Sequence, residues 1–449
     1  MADETQEALA PGPHAHEVAG VLEELRADAP AAHRRLFARY GDVVRLQAGP
    51  FISHFLFHPD DVKHVLQDAH RRYSKRTYGG RRARTLLGDG LFMAEGQRWE
   101  RQRRLTREAF VSRDHPRLLE ITQAATAQAL ERWRELAARS ESMDVETELS
   151  DLTFLVIGRV LMNGELDAAQ AAELRCPFDI AANEAPRLQT LGSPELVDRD
   201  PAAEEFRRSL ALVHEIVRDF VARRRANPGE PDILSRLIEA GADENTGFDD
   251  DELRDQIKTL FYAGHETTAR SASFALLTAS QRPDVSRKLH EDAAGLDAPG
   301  SLLERLARLR YTDAFVKEVL RLCPPLWSLE RRALVDDSVR GYRIPEGSSV
   351  VLSLAVTHEH PEFWDDPAEF HPERFLSETC PRHRLAYFPF GGGARLCVGN
   401  HMAMLQLKLM MAMVYRELHF ELAPGFTPEI TPDLLYRFKA GLVMRPLGW

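Results

Sequence analysis

A chain of 449 residues with 44 % hydrophobic and 28 % charged residues has the composition of an ordinary globular protein, and it is long enough to bury a large core and enclose a cofactor. Its 58 basic against 69 acidic side chains leave a net charge of -11, which argues against nucleic acid as a partner. No uninterrupted apolar run of roughly 18 residues offers a membrane span, and the acidic start MADETQEALAPGPHAHEVAG has no apolar centre of a signal peptide or membrane anchor. Four scattered cysteines, Cys176, Cys323, Cys380 and Cys397, form neither a zinc spacing nor a disulfide framework, which suits reduced thiols in a cytoplasmic protein.

Residues 1–20 read as a flexible segment, and helical patterning begins near Val18. Asp42–His58 alternates apolar and polar residues around a Gly-Pro turn, the pattern of a hairpin. From Asp60 to about Arg331 the period is helical, interrupted by loops at Arg76–Arg82, Leu191–Pro201 and Arg225–Asp232; one long helix is expected from about Asp250 to Ser280. Short strands return over Asp336–Val356, followed by a loop rich in Pro and aromatics (His360–Phe375), a helix near His401–Glu417 and a β-like tail. The β segments at the two ends are expected to pair, tying residues 21–449 into one domain. The fold class is mainly α with small peripheral β-sheets.

One cysteine stands in a distinctive setting, FPFGGGARLCVG (Phe388–Gly399). Glycines allow positive φ and let backbone approach a flat partner, turn N–H groups and a following helix N-terminus favour a thiolate, and Arg395 suits a carboxylate. A lone cysteine in a Gly-rich turn is usually structural; the fixed spacing F-x-x-G-x-R-x-C-x-G favours a metal-ligating thiolate beside a carboxylate-bearing cofactor.

That spacing resembles the haem-ligand signature of the cytochrome P-450 family. The resemblance implies haem b (iron protoporphyrin IX) ligated by Cys397, with Phe390 beside the sulfur, Gly399 in the ligand loop and Arg395 on a haem propionate. Three further matches follow in order. KEVLR carries Glu318 and Arg321 at i, i+3, and PERF carries Arg374; in the family these form a buried charge network concerned with folding and haem retention. AGHETT (Ala263–Thr268) lies on the long helix, where small Ala263 and Gly264 would admit the macrocycle and a diatomic ligand. Glu266 and Thr267 match the acid–alcohol pair that delivers protons to dioxygen. GQRWERQRR places Trp99 and Arg103 one turn apart, where the family binds a propionate, and Arg331, with Arg332 as its competitor, matches another propionate-binding position. Arg98, Arg101, Arg104 and Arg107 form a basic patch suited to steering an acidic redox protein, with Arg101 and Arg104 as the expected contacts. Arg270, within the small and apolar stretch, has no counterpart in this reading.

The resemblance spans nearly the whole chain from about Glu23 and implies the cytochrome P-450 fold, with haem between the long helix and the cysteine loop. The implied activity is monooxygenation: O2, two electrons and two protons insert one oxygen atom into a C–H or C=C bond. The peroxide-driven peroxygenase and the non-catalytic haem sensor or electron carrier are the competing readings, and the intact Glu266–Thr267 pair argues against both. No flavin or ferredoxin segment is evident, so a separate ferredoxin or flavodoxin with its NAD(P)H reductase is implied. The pocket is expected to draw on Thr77–Phe92, Asp179–Leu196, Tyr262, Leu326, Trp327, Leu329, Leu434 and Leu435. This apolar set suits a hydrophobic substrate, whether fatty acid, terpene or polyketide-like.

Overall fold

Apolar residues returning every three or four positions fold most of the chain into helices, and the short alternating runs pair into small sheets. The computed structural model describes residues 8–110, 115–162, 166–169, 171, 174–180, 201–227, 232–241, 247–377 and 380–449. These fall into two compact units, each drawn from three stretches of chain.

The first unit comprises the described part of Met1–Thr77 with Asp313–Asn400 and Pro428–Ala440. Strands β1 (Val43–Ala48) and β2 (Phe51–Leu56) form the hairpin, in register from Val43 opposite Leu56 to Ala48 opposite Phe51. β3 is the short Tyr73–Ser74, and β4 (Met143–Asp144) belongs to the second unit. β5 (Ser328–Ala333), β6 (Asp337–Val339), β7 (Tyr342–Ile344) and β8 (Ser349–Ser353) follow. β8 runs parallel to β2 and antiparallel to β5, giving the order β1-β2-β8-β5-β3, so early and late chain do share a sheet. Both faces of the sheet are covered. Val43, Leu56, Val350 and Leu352 pack with Leu66, Leu385 and Phe388 on one side; Val44, Leu46, Phe55 and Phe57 pack with Leu36 and Val356 on the other.

The second unit comprises Tyr78–Thr312, His401–Thr427 and Gly441–Trp449. Its longest helix, Asp250–Ser280, begins on a capping box in which Asp249 and Glu252 satisfy each other's backbone N–H. It packs along the helix Val145–Leu161. At Gly264 the approach is close: a Cβ there would meet Ile157 Cγ1 at 2.7 Å. β9 (Leu418–Leu422) and β12 (Val443–Gly448) make a small sheet with β4, while β10 (Ile430–Pro432) and β11 (Tyr436–Phe438) pair in the first unit.

Two expectations are corrected. The loop expected at Arg76–Arg82 gives way to a helix from Tyr78 to Leu87; Leu86 and Leu87 at its end are buried against Ala203 and Phe206, and that packing carries helix through Gly79 and Gly80. Helical period was expected to reach Arg331, but the helix Arg310–Leu322 stops before Pro324 and Pro325, and pairing with β8 makes Ser328–Ala333 a strand. Residues 191–200 of an expected loop lie outside the described residues. Among those described, no helix is long and apolar enough to cross a membrane.

Candidate functional site

Cys397 lies between a one-turn helix at Gly393–Arg395 and the helix Asn400–Glu417, with its residue exposed. Its N–H donates to the Phe390 carbonyl at 3.0 Å, closing the loop on itself. Gly391 and Gly393 adopt φ of 72° and 64°, and a Cβ on Gly393 would sit 1.9 Å from the Leu66 carbonyl oxygen. Gly393 therefore serves the chain's own packing, whereas a Cβ at Gly399 would meet no protein atom within 4 Å. Arg395 ends the turn and is partly buried. An accessible soft sulfur on backbone fixed by its own contacts is the donor that a haem iron, ligated from one side, requires.

The charge network is complete within the first unit. Glu318 accepts Arg321 Nε and a terminal Arg321 nitrogen at 2.8 Å each, the His371 N–H at 2.8 Å and Arg374 Nε at 3.2 Å. Arg321 also donates to the carbonyls of His358, Pro367 and Glu369, and its guanidinium lies 5.0 Å from the Trp364 ring centre. Glu318 and Arg321 are fully buried, and these bonds offset their desolvation. His358, which sequence reading passed over, links the network to the cysteine segment. Its Nδ1 donates to the Arg321 carbonyl at 3.0 Å, and its Nε2 accepts the Phe388 N–H at 3.0 Å. Both contacts need the neutral ring, and burial pushes its pKa down to about 3. A single histidine in a loop gives no sequence signal of such a role.

On the Asp250–Ser280 helix most residues are buried, but Ala263 is exposed and Tyr262, Gly264 and Thr267 are partly so. Ala263 and Thr267 share one stripe, and Thr267 Oγ1 donates to the Ala263 carbonyl at 2.7 Å. This uncovered turn of small residues is what a flat group lying against the helix would need. Gly264 owes its smallness to Ile157 instead, a reason the motif alone does not reveal. Glu266 is partly buried, and its Oε1 accepts Arg270 Nε at 3.0 Å and a second Arg270 nitrogen at 2.6 Å. Arg270 is also paired with Glu146, so the arginine that sequence reading left without a role is the cation that makes Glu266's burial tolerable.

Trp99 and Arg103 share a face of the helix Gly96–Ala109 and are partly exposed. On the same helix Arg98 pairs with Asp89 at 3.3 Å and Glu252 at 3.0 Å, and Arg101 also pairs with Glu252. Arg104 and Arg107 are exposed and make no ion pair among the described residues. In the first unit Arg331 is turned inward, 6 % exposed, and donates to the Glu330 carbonyl, whereas Arg332 faces solvent. Leu329 approaches the cysteine loop, with Cδ1 3.7 Å from the Cβ position of Gly391. Trp327 is tied to the Asp433 carbonyl and packs edge-on to His33. Leu326 is partly buried, Leu435 buried and Leu434 exposed. Most of the expected lining stretch Asp179–Leu196 lies outside the described residues.

A family model described as Cytochrome P450 matches residues 10–447. The chain is 30 % identical to Cyclooctat-9-en-7-ol 5-monooxygenase of Streptomyces melanosporofaciens, over 86 % of this chain and 84 % of that protein. It is 31 % identical to Cyclooctatin synthase of the same organism, over 88 % and 86 %, and 29 % identical to Pentalenene oxygenase of Streptomyces avermitilis, over 86 % and 85 %.

Proposed function

This chain belongs to the cytochrome P450 family, and from that premise we propose that it oxygenates a terpene-like hydrophobic small molecule with electrons from a separate ferredoxin or flavodoxin and its NAD(P)H reductase. The family identity makes it a haem b-binding oxidoreductase of the monooxygenase class. Haem, when bound, supplies dioxygen activation and oxygen-atom insertion; the protein supplies position, dryness and protons.

The observation that carries the reading is the pairing of motifs with local geometry. An exposed Cys397 sits on a self-closed loop, and, among the described residues, a stripe left uncovered midway along a largely buried helix presents Ala263 and Thr267 beside Glu266. In this reading Cys397 would hold the haem iron through its thiolate, with Phe390 and Gly399 in its loop. Trp99, Arg103, Arg331 and Arg395 would hold the propionates, and Ala263 and Gly264 would border the macrocycle. Glu266 and Thr267 hold and pass protons. Glu318, Arg321 and Arg374 keep the cysteine segment folded, and residues 21–449 act as one haem domain.

The substrate proposal is supported by the names of three relatives, Cyclooctat-9-en-7-ol 5-monooxygenase, Cyclooctatin synthase and Pentalenene oxygenase, and, within the first unit, by the apolar side chains of Leu326, Leu329 and Leu435. Titration of the ferric protein with cyclic terpene hydrocarbons, their alcohols and long-chain fatty acids tests it through the substrate-induced Soret shift. Saturable shifts with the terpenes are expected; shifts with fatty acids alone would overturn the proposal.

A further inference from the structure

Glu266 is one member of a longer row of charges. Asp151 pairs with Arg175 at 2.7 Å, Arg175 with Asp179, and Arg270 with both Glu266 and Glu146. Between Asp179 and Glu266 stands the ring of His265, 1 % exposed, with Nε2 3.6 Å from Asp179 Oδ1 and 3.5 Å from Glu266 Oε2. Read along the row, the fixed charges are negative, positive, negative, then the imidazole, then negative, positive, negative. A positive ring completes the alternation; a neutral ring leaves two carboxylates facing each other with no positive charge between them.

The tautomer sharpens this. Nδ1 lies 2.9 Å from the Phe261 carbonyl oxygen, which only accepts, so Nδ1 carries a proton. If Nε2 were a bare lone pair, it would point at two carboxylate oxygens. A proton must therefore reside on Nε2 or on one of those oxygens. Thr153, from the neighbouring helix, donates to the His265 carbonyl and leaves the ring alone, and Phe154 and Tyr262 pack edge-on against it. Among the described residues, the charged groups facing the ring are Asp179 and Glu266, each backed by a guanidinium. Burial on its own would depress the imidazole pKa; the Asp179 carboxylate, the charge of Glu266 and the Phe261 carbonyl outweigh it and hold the value above the ordinary one. The same three side chains could gather around a cation, but Asp179 and Glu266 are each already engaged by a guanidinium, Arg175 and Arg270, and a protonated ring would stand in the cation's place.

We propose that His265, oriented by Asp179, is a positioning residue that stores the proton Glu266 passes on during turnover. The proton moves from Nε2 to the Glu266 Oε2 carboxylate oxygen, Glu266 as the resulting carboxylic acid releases it to turnover and returns to carboxylate, and the ring is recharged from the Asp179 side, where that carboxylate is 27 % exposed. Charge balances at each transfer: imidazolium and carboxylate become imidazole and carboxylic acid, then return. The inference rests on the reading of Glu266 as proton donor.

The test uses holoenzyme of the wild type and of His265→Gln, Asp179→Asn and Glu266→Gln. Asp179→Asn is included because it alters the ring's environment without touching the buried ring. Histidine-labelled protein in its reduced carbonyl form gives the ring's protonation directly by NMR. The wild-type ring is expected to stay doubly protonated above pH 6.5, and in Asp179→Asn its titration should move down. In turnover, His265→Gln should keep the substrate-induced Soret shift, lose roughly tenfold or more in coupled product formation, gain a larger solvent isotope effect and lose the wild-type fall in rate as pH rises through the ring's pKa. If Glu266→Gln uncouples while His265→Gln and Asp179→Asn keep wild-type coupling and pH profile, the inference fails and the reading of Glu266 stands. A neutral wild-type ring at pH 6.5 also overturns the inference, and normal coupling in Glu266→Gln overturns both.

Discussion

Arg321 and Glu318 meet through two hydrogen bonds of 2.8 Å, and neither side chain exposes any surface. Removing either partner leaves the other as an uncompensated buried charge, which costs roughly 3–5 kcal/mol. Glu318→Ala and Arg321→Ala are therefore expected to give little holoprotein and a much lower melting temperature. Arg321→Lys should fare little better, because one ammonium cannot reach Glu318 and the carbonyls of His358, Pro367 and Glu369 together. Haem content and melting curves equal to wild type in all three would show that the pair carries no stability.

Two glycines of the cysteine segment should behave oppositely. Gly393 has φ of 64° and would place a Cβ 1.9 Å from main-chain oxygen, so Gly393→Ala forces the loop off Leu66 and should lower the stability of haem-free protein. Gly399 has open space around its Cβ position, so Gly399→Ala should leave the haem-free melting curve unchanged and act only on haem retention. Equal losses of haem-free stability in the two variants would contradict this division.

Much of this was legible locally. Asp249 followed by Glu252 and a long helical period mark the start of the Asp250–Ser280 helix, and Gly-Pro between alternating runs marks the β1–β2 hairpin. The spacing of Glu318 and Arg321 showed that they share a helix face. Their complete burial depends on carbonyls from residues 358–369 closing around them, which no local pattern contains. Arg270 was opaque for the same reason, since Glu146 comes from another helix. β5 was missed because its strand character comes from β8 rather than from its own residues.

The basic helix is less available than its composition suggests. Glu252 occupies Arg98 and Arg101, which leaves Arg104 and Arg107 as the exposed cations with no ion pair among the described residues, available to a redox partner. Arg104→Glu and Arg107→Glu should slow reduction by an acidic ferredoxin or flavodoxin, an effect that shrinks as added salt screens charges beyond about 10 Å. Arg101→Glu should instead lower thermal stability by setting two carboxylates together. A wild-type reduction rate independent of salt and unaltered by Arg104→Glu would refute the steering role.

Acid should destabilise the protein through its buried neutral histidines. Burial holds His33 and His358 down to about 3. The unfolded chain takes up protons near pH 6.5 while the folded rings do not, so stability present above pH 6.5 is lost as pH falls from there toward about 3, by up to about 1.4 kcal/mol per pH unit for each ring. Melting temperatures measured from pH 8 to pH 5 should fall on the acid side, less steeply in His358→Asn. An identical slope in that variant would show that His358 is not among the groups responsible.

Thr267 tests the reaction class. Its hydroxyl donates to the Ala263 carbonyl, so its oxygen keeps lone pairs able to accept from a proton-bearing water beside Glu266. Thr267→Ala removes that acceptor while its methyl fits the same helical stripe, so haem content and the substrate-induced Soret shift should persist. Reduced nicotinamide should still be consumed through the partner proteins. Without a hydroxyl to place the proton, however, consumption should drain into hydrogen peroxide instead of product. The decisive quantity is product formed per reduced nicotinamide oxidised, measured together with peroxide: the first should drop several-fold and the second rise to account for it. Thr267→Ser, which restores the hydroxyl, should recover coupling, separating the chemistry of the oxygen from packing of the side chain. If wild type forms product from added peroxide alone at its full rate, and Thr267→Ala alters neither coupling nor product, the acid–alcohol pair has no part in turnover. Peroxide-driven oxygenation would then be the reaction that this chain carries out.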